Sequence, residues 1–175
     1  MCFLPRFNGT TTFVHELPFK AHTIEIDACL LSVGGVWDNK VYTAPIPGYW
    51  KAKNLSITHF EMLNIIVALH LWKYEWRNKC INLLVDNEAV VSICSKGFTR
   101  DSTLAMYARN IWLITSVLDI ELIVVHVPGH KNQQADLLSR WKYYSKEHME
   151  KLNQFVPDHR WEIVQEAYFE VNTEI

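Results

Sequence analysis

The stretch HTIEIDACLLSVGGVWDNKVYTAPIP, residues 22–47, decides the fold class. Residues 22–38 are apolar and β-branched and are interrupted by Gly34-Gly35. This pattern predicts a strand, a close approach of backbone at the glycines, and a second strand. Residues 40–47 begin as a third strand, which the prolines end, and the two-residue junction Asp38–Asn39 is typical of a hairpin. The stretch therefore predicts an antiparallel meander of three strands.

The rest of the chain alternates helical and strand patterns. Three strands followed by this alternation predict an α/β fold with a mixed five-stranded sheet and helices on both faces, in the order βββαβααβα. The fourth and fifth strands should run parallel to the first, because such crossovers are right-handed. The later elements are a helix over 56–76, a buried strand over 80–86, a helix over 87–97 ended by Gly97, a helix over 101–119, a strand over 120–129, and a helix from 132 at least to Trp141.

The composition suits one well-packed domain. The chain has 175 residues, of which 49% are hydrophobic and 13% aromatic, which excludes global disorder. It lacks the run of about 18 apolar residues that a membrane-spanning helix needs, and its N-terminus lacks a signal-peptide pattern. The four cysteines are scattered without a CxxC pair, which indicates reduced thiols. We expect an intracellular protein, cytoplasmic or nuclear and not secreted, with no membrane partner.

Charge is unevenly distributed along the chain. The net charge of −2 disfavours a general nucleic-acid binder. Residues 40–110, however, carry nine Lys/Arg against five Asp/Glu, a local charge of +4, and residues 141–175 carry four against seven, a local charge of −3. This asymmetry is compatible either with a solvated face or with a basic nucleic-acid track in the middle of the chain.

Four carboxylates occupy positions where charge is unusual. Asp27 lies inside an apolar strand, Glu61 lies in the first turns of an apolar helix, and Asp86 ends a buried strand. Asp136 lies near the start of the last predicted helix. Acids in such settings are seldom buried unless they are paired or bind a metal, and sites gather at the carboxyl ends of parallel strands. Clustered carboxylates need a cation, Mg²⁺ prefers oxygen ligands, and two such ions clamp a phosphodiester during hydrolysis.

Each acid also has a purely structural interpretation. Glu61 could close a capping box with Thr58, Asp86 could cap the helix that starts at Asn87, and Asp136 could be an exposed acid in a first helical turn. Asp27 is the hardest to explain in this way, because an acid inside a strand needs a partner. The four acids in this order of elements favour a joint site.

Three segments carry a resemblance to a known family: EMLNIIVALHLW, LLVDNEAVV and VHVPGHKNQQADLLSR. With the element order and the four acids, they resemble type 1 ribonuclease H, and more narrowly the ribonuclease H domain of retroelement reverse transcriptases. The lead-in FLPRFNGTTTF resembles the connection before this domain in DIRS-type retroelements. The resemblance implies a lead-in or connection over 1–20, a ribonuclease H-like domain over 21–141, and a C-terminal helical extension and tail over 142–175. We expect that tail to be mostly loose and to dock Trp161 and Phe169.

The resemblance implies an endonuclease that hydrolyses the RNA strand of RNA–DNA hybrids with two Mg²⁺ ions. We expect Mn²⁺ to be able to substitute for Mg²⁺ as the cofactor. Its partners would be the hybrid and the polymerase domain of a reverse transcriptase. His130 matches the mobile histidine that assists proton transfer or product release. The metal-binding acids would be Asp27, Glu61, Asp86 and Asp136. The candidate contacts to nucleic acid are Asn64, Asn87, Lys51, Lys53, Lys96 and Arg100.

The turn after the first strand departs from the family pattern. Many members continue Asp-Ala-Ser into a Gly-rich turn, whereas Cys29-Leu30-Leu31-Ser32 separates Asp27-Ala28 from the glycines here. One alternative function is a catalytically silent tether or nucleic-acid-binding module, but silent copies usually lose acids. A 3′–5′ exonuclease would need Asp-x-Glu on the first strand, where this chain has Asp27-Ala28-Cys29.

Overall fold

The structure is a computed structural model that describes residues 21–53, 55–141 and 145–171. Its strands are β1 His22–Ala28, β2 Ser32–Trp37, β3 Lys40–Pro45, β4 Cys80–Val85, β5 Glu121–His126 and β6 Arg160–Trp161. Its helices are α1 Gly48–Lys51, α2 Ile57–Trp76, α3 Glu88–Lys96, α4 Ser102–Val117, α5 Gln133–Ser139 and α6 Lys146–Phe155, with 3-10 turns at Gly129–Lys131 and Glu166–Phe169.

The six strands form one mixed sheet in the order β5-β4-β1-β2-β3-β6. As predicted, β1, β2 and β3 are antiparallel neighbours, and β4 and β5 run parallel to β1. The predicted count of five strands is wrong, because β6 adds a two-residue parallel pairing to β3. Hydrogen bonds from the Arg160 amide to the Asn39 carbonyl and from the Glu162 amide to the Val41 carbonyl hold it there, at 2.7 and 2.8 Å. Two residues show no alternation from which a strand could be predicted.

The glycine pair does not interrupt the sheet, contrary to our prediction. Gly34 and Gly35 both lie inside β2, and the chain turns earlier, at residues 29–31. The close backbone approach was predicted correctly: a Cβ on Gly34 would lie 2.4 Å from the Ser139 amide nitrogen of α5. A Cβ on Gly35 would lie 2.6 Å from the Tyr42 ring. The glycines are therefore needed for packing on both faces of β2.

Helices cover both faces of the sheet, as predicted. Helix α2 is buried over most of its length because it packs between the sheet and α4, and the larger core lies there. Helix α5 packs on the opposite face against β1 and β2, and a smaller core lies there with α6. That smaller core consists of Val36, Val41, Leu137, Leu138, Leu152 and Val156.

The C-terminal part of the chain differs from the expected helix, which should reach at least Trp141, and from the expected loose tail. Helix α5 ends at Ser139, and α6 is a separate helix. The Phe169 side chain docks in the larger core with 2% exposure, and the Trp50 indole nitrogen donates to the Phe169 carbonyl at 3.0 Å. Trp161 contacts the Trp141 ring, with centroids 5.1 Å apart, and keeps 39% exposure. The described part of the tail, over 145–171, thus belongs to the folded body.

Two further expectations concern the thiols and the membrane. Among the described cysteines, Cys29, Cys80 and Cys94 are all free thiols. Within the described ranges, no helix has the length and apolar character needed to cross a bilayer. The lead-in over 1–20, which includes Cys2, lies outside the described residues.

Candidate active site

Three of the four predicted acids meet at one edge of the sheet. One carboxylate oxygen each from Asp27, Glu61 and Asp86 lies within 4.8 Å of the other two. Asp27 and Glu61 are buried, with 4% and 2% exposure, whereas Asp86 is exposed. The cluster therefore has two buried members and one that faces solvent. No other group of three potential ligands was found in the portion of the chain that the structure describes.

The sheet and α2 bring these acids together. Strands β1 and β4 are parallel neighbours, so Asp27 near the end of β1 and Asp86 directly after β4 lie at the same edge. Glu61 reaches them from α2, and its Oε1 accepts a hydrogen bond from the Ala28 amide at 3.3 Å. The capping box is therefore the wrong interpretation of Glu61, because its carboxylate contacts β1 and not the start of its own helix.

Asn64 fixes the backbone beneath Asp27. Its Nδ2 donates to the Asp27 carbonyl at 2.7 Å and to the Gly34 carbonyl at 3.0 Å, and its Oδ1 accepts from the Tyr42 hydroxyl at 2.7 Å. The side chain is fully buried. The prediction that Asn64 contacts nucleic acid is therefore wrong, because no surface of it is accessible and its amide is already bonded. Its spacing of three residues from Glu61 on an apolar helix was the signal for a shared face.

Ser139 orients the Asp27 carboxylate and was missed from the sequence. Its fully buried hydroxyl donates to Asp27 Oδ2, and its carbonyl accepts from the Ser32 hydroxyl. The signal was a serine at the end of a short apolar helical segment, three residues after Asp136. This contact, together with the close approach at Gly34, fastens α5 to the strands that carry Asp27.

Asp136 lies at the rim of the cluster and forms an ion pair with the Arg140 side chain. Its Oδ1 accepts from Arg140 Nε at 2.6 Å, and the two side chains are 48% and 65% exposed. The Asp136 charge still raises the pKa of Asp27, so the two carboxylates are within electrostatic reach. The structure therefore places Asp136 beside the three-acid group and not within it.

The loop that carries His130 passes beside Asp86. A Cβ on Gly129 would lie 3.3 Å from Asp86 Oδ2, and His130 itself is exposed in the same 3-10 turn. Asn132, with 1% exposure, anchors this loop because its Nδ2 donates to the Ile26 carbonyl at 2.9 Å. Asn132 is a second positioning residue that was missed, and the role of His130 stays a prediction.

The remaining predicted contacts to nucleic acid lie on the surface. Asn87 caps α3 by accepting from the Ala89 and Val90 amides at 3.0 and 3.3 Å, so Asp86 is not the cap of this helix. Asn87 is half-buried, and its contact with nucleic acid stays a prediction, as do those of four exposed cations. These are Lys51, Lys53, Lys96 and Arg100.

Burial and mutual repulsion raise the pKa values of the two buried acids. The pKa of Glu61 is raised to about 9, chiefly by burial and further by the charges of Asp27 and Asp86, while the hydrogen bond from the Ala28 amide opposes the shift. The pKa of Asp27 is raised to about 6, chiefly by burial; the Ser139 hydrogen bond opposes the shift, and the charge of Asp86 contributes to it. Without a cation, Glu61 is therefore protonated at neutral pH.

Comparisons with known proteins bear on the fold. No family model matches the sequence, and a search of curated proteins found no match. Among solved structures, RNase H1 from the halophilic archaeon Halobacterium salinarum NRC-1 is 17% identical, with a TM-score of 0.54 over 75% of this chain and 99% of that one. An RNase H1 isolated from compost is 18% identical, with a TM-score of 0.49 over 66% of this chain and 89% of that one.

The fold is ribonuclease H-like. The likeness to the archaeal structure, together with the mixed sheet and its helices on both faces, supports this statement of fold. Since 99% of the archaeal chain corresponds to only 75% of this one, about a quarter of this chain lies outside the shared fold.

The acid cluster of this ribonuclease H-like fold suits a divalent cation. Glu61 Oε2 is buried and has no hydrogen-bond partner, and it belongs to a group whose ligand atoms are all carboxylate oxygens. Hard divalent ions prefer such oxygens, and a cation would stabilise the charges that now raise the pKa values. The residues present therefore fit Mg²⁺ or Mn²⁺.

The raised pKa values predict how the metal-free stability depends on pH. The folded values, about 9 for Glu61 and about 6 for Asp27, lie above the ordinary values of 4.5 and 3.8. The folded state therefore binds more protons than the unfolded state, and this stabilisation is lost as pH rises through the folded pKa values. Between pH 5 and pH 8 in EDTA, we expect the Tm to fall by roughly 5 °C or more.

Thermal unfolding in EDTA at several pH values measures this effect. The Glu61→Gln variant, which has no charge to bury, should show a clearly smaller fall, and Mg²⁺ should raise the wild-type Tm more at pH 8 than at pH 5. Identical pH profiles for the wild type and Glu61→Gln would show that Glu61 does not titrate in this way.

Proposed function

We propose that the chain is a Mg²⁺-dependent endonuclease that hydrolyses the RNA strand of RNA–DNA hybrids as part of a retroelement reverse transcriptase. The observation that carries the proposal is the meeting of Asp27, Glu61 and Asp86 at the carboxyl edge of a ribonuclease H-like sheet. Acids in this position are costly for stability, as the raised pKa values of the two buried ones indicate. A requirement for divalent cations explains their presence.

Each acid has a place in the proposed metal site. Asp27, Glu61 and Asp86 would hold the cations, and Asp136 becomes available as a further ligand when its pair with Arg140 opens. Opening this exposed pair costs little, about 1 kcal/mol or less. When bound, two divalent cations supply activation of a water and stabilisation of the leaving oxygen in phosphodiester hydrolysis.

The chain's own side chains position these ligands. Ser139 holds one oxygen of Asp27 by donating to it, and Asn64 fixes the Asp27 backbone, so the carboxylate does not need to reorganise during turnover. Arg140 borders the same pocket and would contact a phosphate that lies beside the cluster. We propose that the exposed Lys51, Lys53, Lys96 and Arg100 make further phosphate contacts, which makes affinity salt-dependent.

The reverse transcriptase setting rests on sequence motifs. The segment from Asn132 to Arg140 and the lead-in over 1–20 support it. We propose an intracellular protein whose polymerase domain delivers the hybrid, which would be recognised by its minor-groove shape and 2′-hydroxyls.

Cleavage of a labelled RNA–DNA hybrid tests the proposed function. With Mg²⁺, we expect cuts in the RNA strand of the hybrid and none in the matched double-stranded RNA or DNA. EDTA should abolish cleavage, and Mn²⁺ should restore it. Cleavage of the DNA strand would overturn the assignment, and binding of hybrid without any cleavage by a folded protein would favour the catalytically silent module.

A further inference from the structure

Two leucines project into solvent beside the acid cluster. Leu30 and Leu31, in the turn between β1 and β2, are 59% and 66% exposed. In the sequence, only Cys29 separates them from Asp27 and Ala28, and this is the point where the chain departs from the Gly-rich turn of the family it resembles. Side chains that stay this exposed add little to the stability of the fold, and two adjacent ones beside a candidate site form an apolar surface that is available to a ligand.

The turn that carries the leucines is braced on two sides. The Cys29 amide donates to the Ser32 carbonyl at 2.9 Å, and the Leu31 carbonyl accepts from the Ile46 amide at 2.9 Å. The Cys29 thiol donates to the Ser139 carbonyl at 3.3 Å. The turn is thus tied to α5 through the Cys29 side chain and to Ile46, directly after β3, through the Leu31 carbonyl, and these bonds hold the leucines in an outward position.

A third apolar side chain joins Leu30 at the mouth of the site. Ile57, the first residue of α2, is 39% exposed. Leu30 and Ile57 line the same pocket, of about 330 Å³, as the three acids and Arg140. The pocket therefore combines the three acids, the Arg140 guanidinium and an apolar wall formed by Leu30 and Ile57.

The chemistry of a nucleic-acid strand limits what such a wall can contact. Phosphates are charged, base edges are polar, and base faces in a duplex are stacked on one another. The apolar surface that a duplex offers beside a phosphate is the C–H edge of the sugar, and the wide, shallow minor groove of an A-like duplex exposes it. A scissile phosphate at the acids would place the neighbouring sugar next to this wall.

We propose that Leu30 and Ile57 form an apolar lip that packs against the sugar edge of the cleaved strand and so positions the hybrid. This inference rests on the proposed function and names a contact within the same site. The lip would contribute binding without charge, in contrast to the basic residues, whose contribution falls as salt rises. Loss of the lip should raise KM and leave kcat unchanged, because the contact is the same in the ground state and the transition state.

Steady-state kinetics on the hybrid with the whole chain tests the lip. The double variant Leu30→Ser with Ile57→Ser should raise KM about tenfold and leave kcat unchanged, since the lost apolar contact amounts to partial burial of two side chains. The conservative pair Leu30→Met with Ile57→Val should restore KM. The matched control is Ile163→Ser, which removes an apolar side chain that is 83% exposed on the C-terminal extension and should change neither constant.

Binding measurements separate an apolar contact from an electrostatic one. Fluorescence anisotropy with intact hybrid, in the Asp86→Asn background, should show Kd raised about tenfold with an unchanged dependence on salt concentration. An unchanged KM and Kd in the double variant would refute the lip and would be expected if Leu30 and Ile57 instead dock on a protein domain. A fall in kcat in place of a rise in KM, or an equal effect of Ile163→Ser, would also refute it. If the wild-type chain neither binds nor cleaves hybrid, the proposed function fails and the lip fails with it. If the wild type cleaves and the double variant matches it, the lip alone fails.

Discussion

Asp27→Asn and Asp86→Asn are each expected to lower the rate of hybrid cleavage about 10³-fold or more, because each removes a charged ligand from the three-acid group. Asp136→Asn is expected to lower it less, roughly 10- to 100-fold, because Asp136 would bind a cation only after its pair with Arg140 opens. The difference follows from the pair between Asp136 and Arg140, which keeps this carboxylate at the rim.

Stability measurements distinguish loss of a ligand from loss of the fold. Asp86→Asn removes a charge that raises the pKa of both Asp27 and Glu61, so the metal-free Tm at pH 8 should rise or stay unchanged. The stabilisation by Mg²⁺ should disappear in the same variant. The matched control is Glu88→Gln, an exposed acid two residues along in the first turn of α3, which should retain both activity and the Mg²⁺ effect. Equal losses for Asp136→Asn and Asp86→Asn would contradict the rim position of Asp136.

The sheet could be predicted because its strands carry their own signals. The apolar run CINLLV of β4 is too short for a helix, and the glycine pair marks a real close approach. The position of the first turn could not be predicted, because the exposed Leu30 and Leu31 look like strand residues and Gly34-Gly35 looks like a turn. Only packing against α5 and Tyr42 explains why both glycines lie inside β2.

The acid cluster could be predicted in outline, but its supports could not. The predicted topology alone placed Asp27, Glu61 and Asp86 near one another, because they lie at strand ends and at a helix start, and the structure brings these three acids together. The spacing places Asn64 on the same face of α2 as Glu61, but it does not predict the three hydrogen bonds of the Asn64 side chain, which reach β1, β2 and β3. The pair between Asp136 and Arg140 depends on rotamers at the end of a short helix, which a sequence does not specify.

The C-terminal extension contains one feature that the sequence does not predict, strand β6, and one that it does, the docking of Phe169. Strand β6 has two residues and depends on β3 for every pairing, so nothing local predicts it. The docking of Phe169 was predictable because a large apolar side chain in a charged segment gains most from burial. Strand β6 covers the start of β3, at Lys40 and Val41, where the sheet edge would otherwise offer unpaired backbone groups to other chains.

Gly34→Ala is expected to destabilise the protein by about 3 kcal/mol or more, which lowers the Tm by roughly 6 to 12 °C in a chain of this size. The added Cβ would lie 2.4 Å from the Ser139 amide nitrogen and 2.5 Å from the Leu138 carbonyl carbon. These are backbone atoms, so no change of rotamer relieves the overlap, and α5 must move away from β2.

Movement of α5 should also impair the site, because Ser139 donates to Asp27 from the same helix. Thermal unfolding and hybrid cleavage below the Tm of the variant measure the two consequences separately, and we expect both to change. The matched control is Gly48→Ala at the start of α1, where a Cβ would meet no atom within 4 Å and the Tm should stay the same or rise slightly. A Gly34→Ala protein with wild-type Tm would mean that α5 has room to shift, and full activity in that protein would show that the contact between Ser139 and Asp27 does not depend on the packing of α5 on β2.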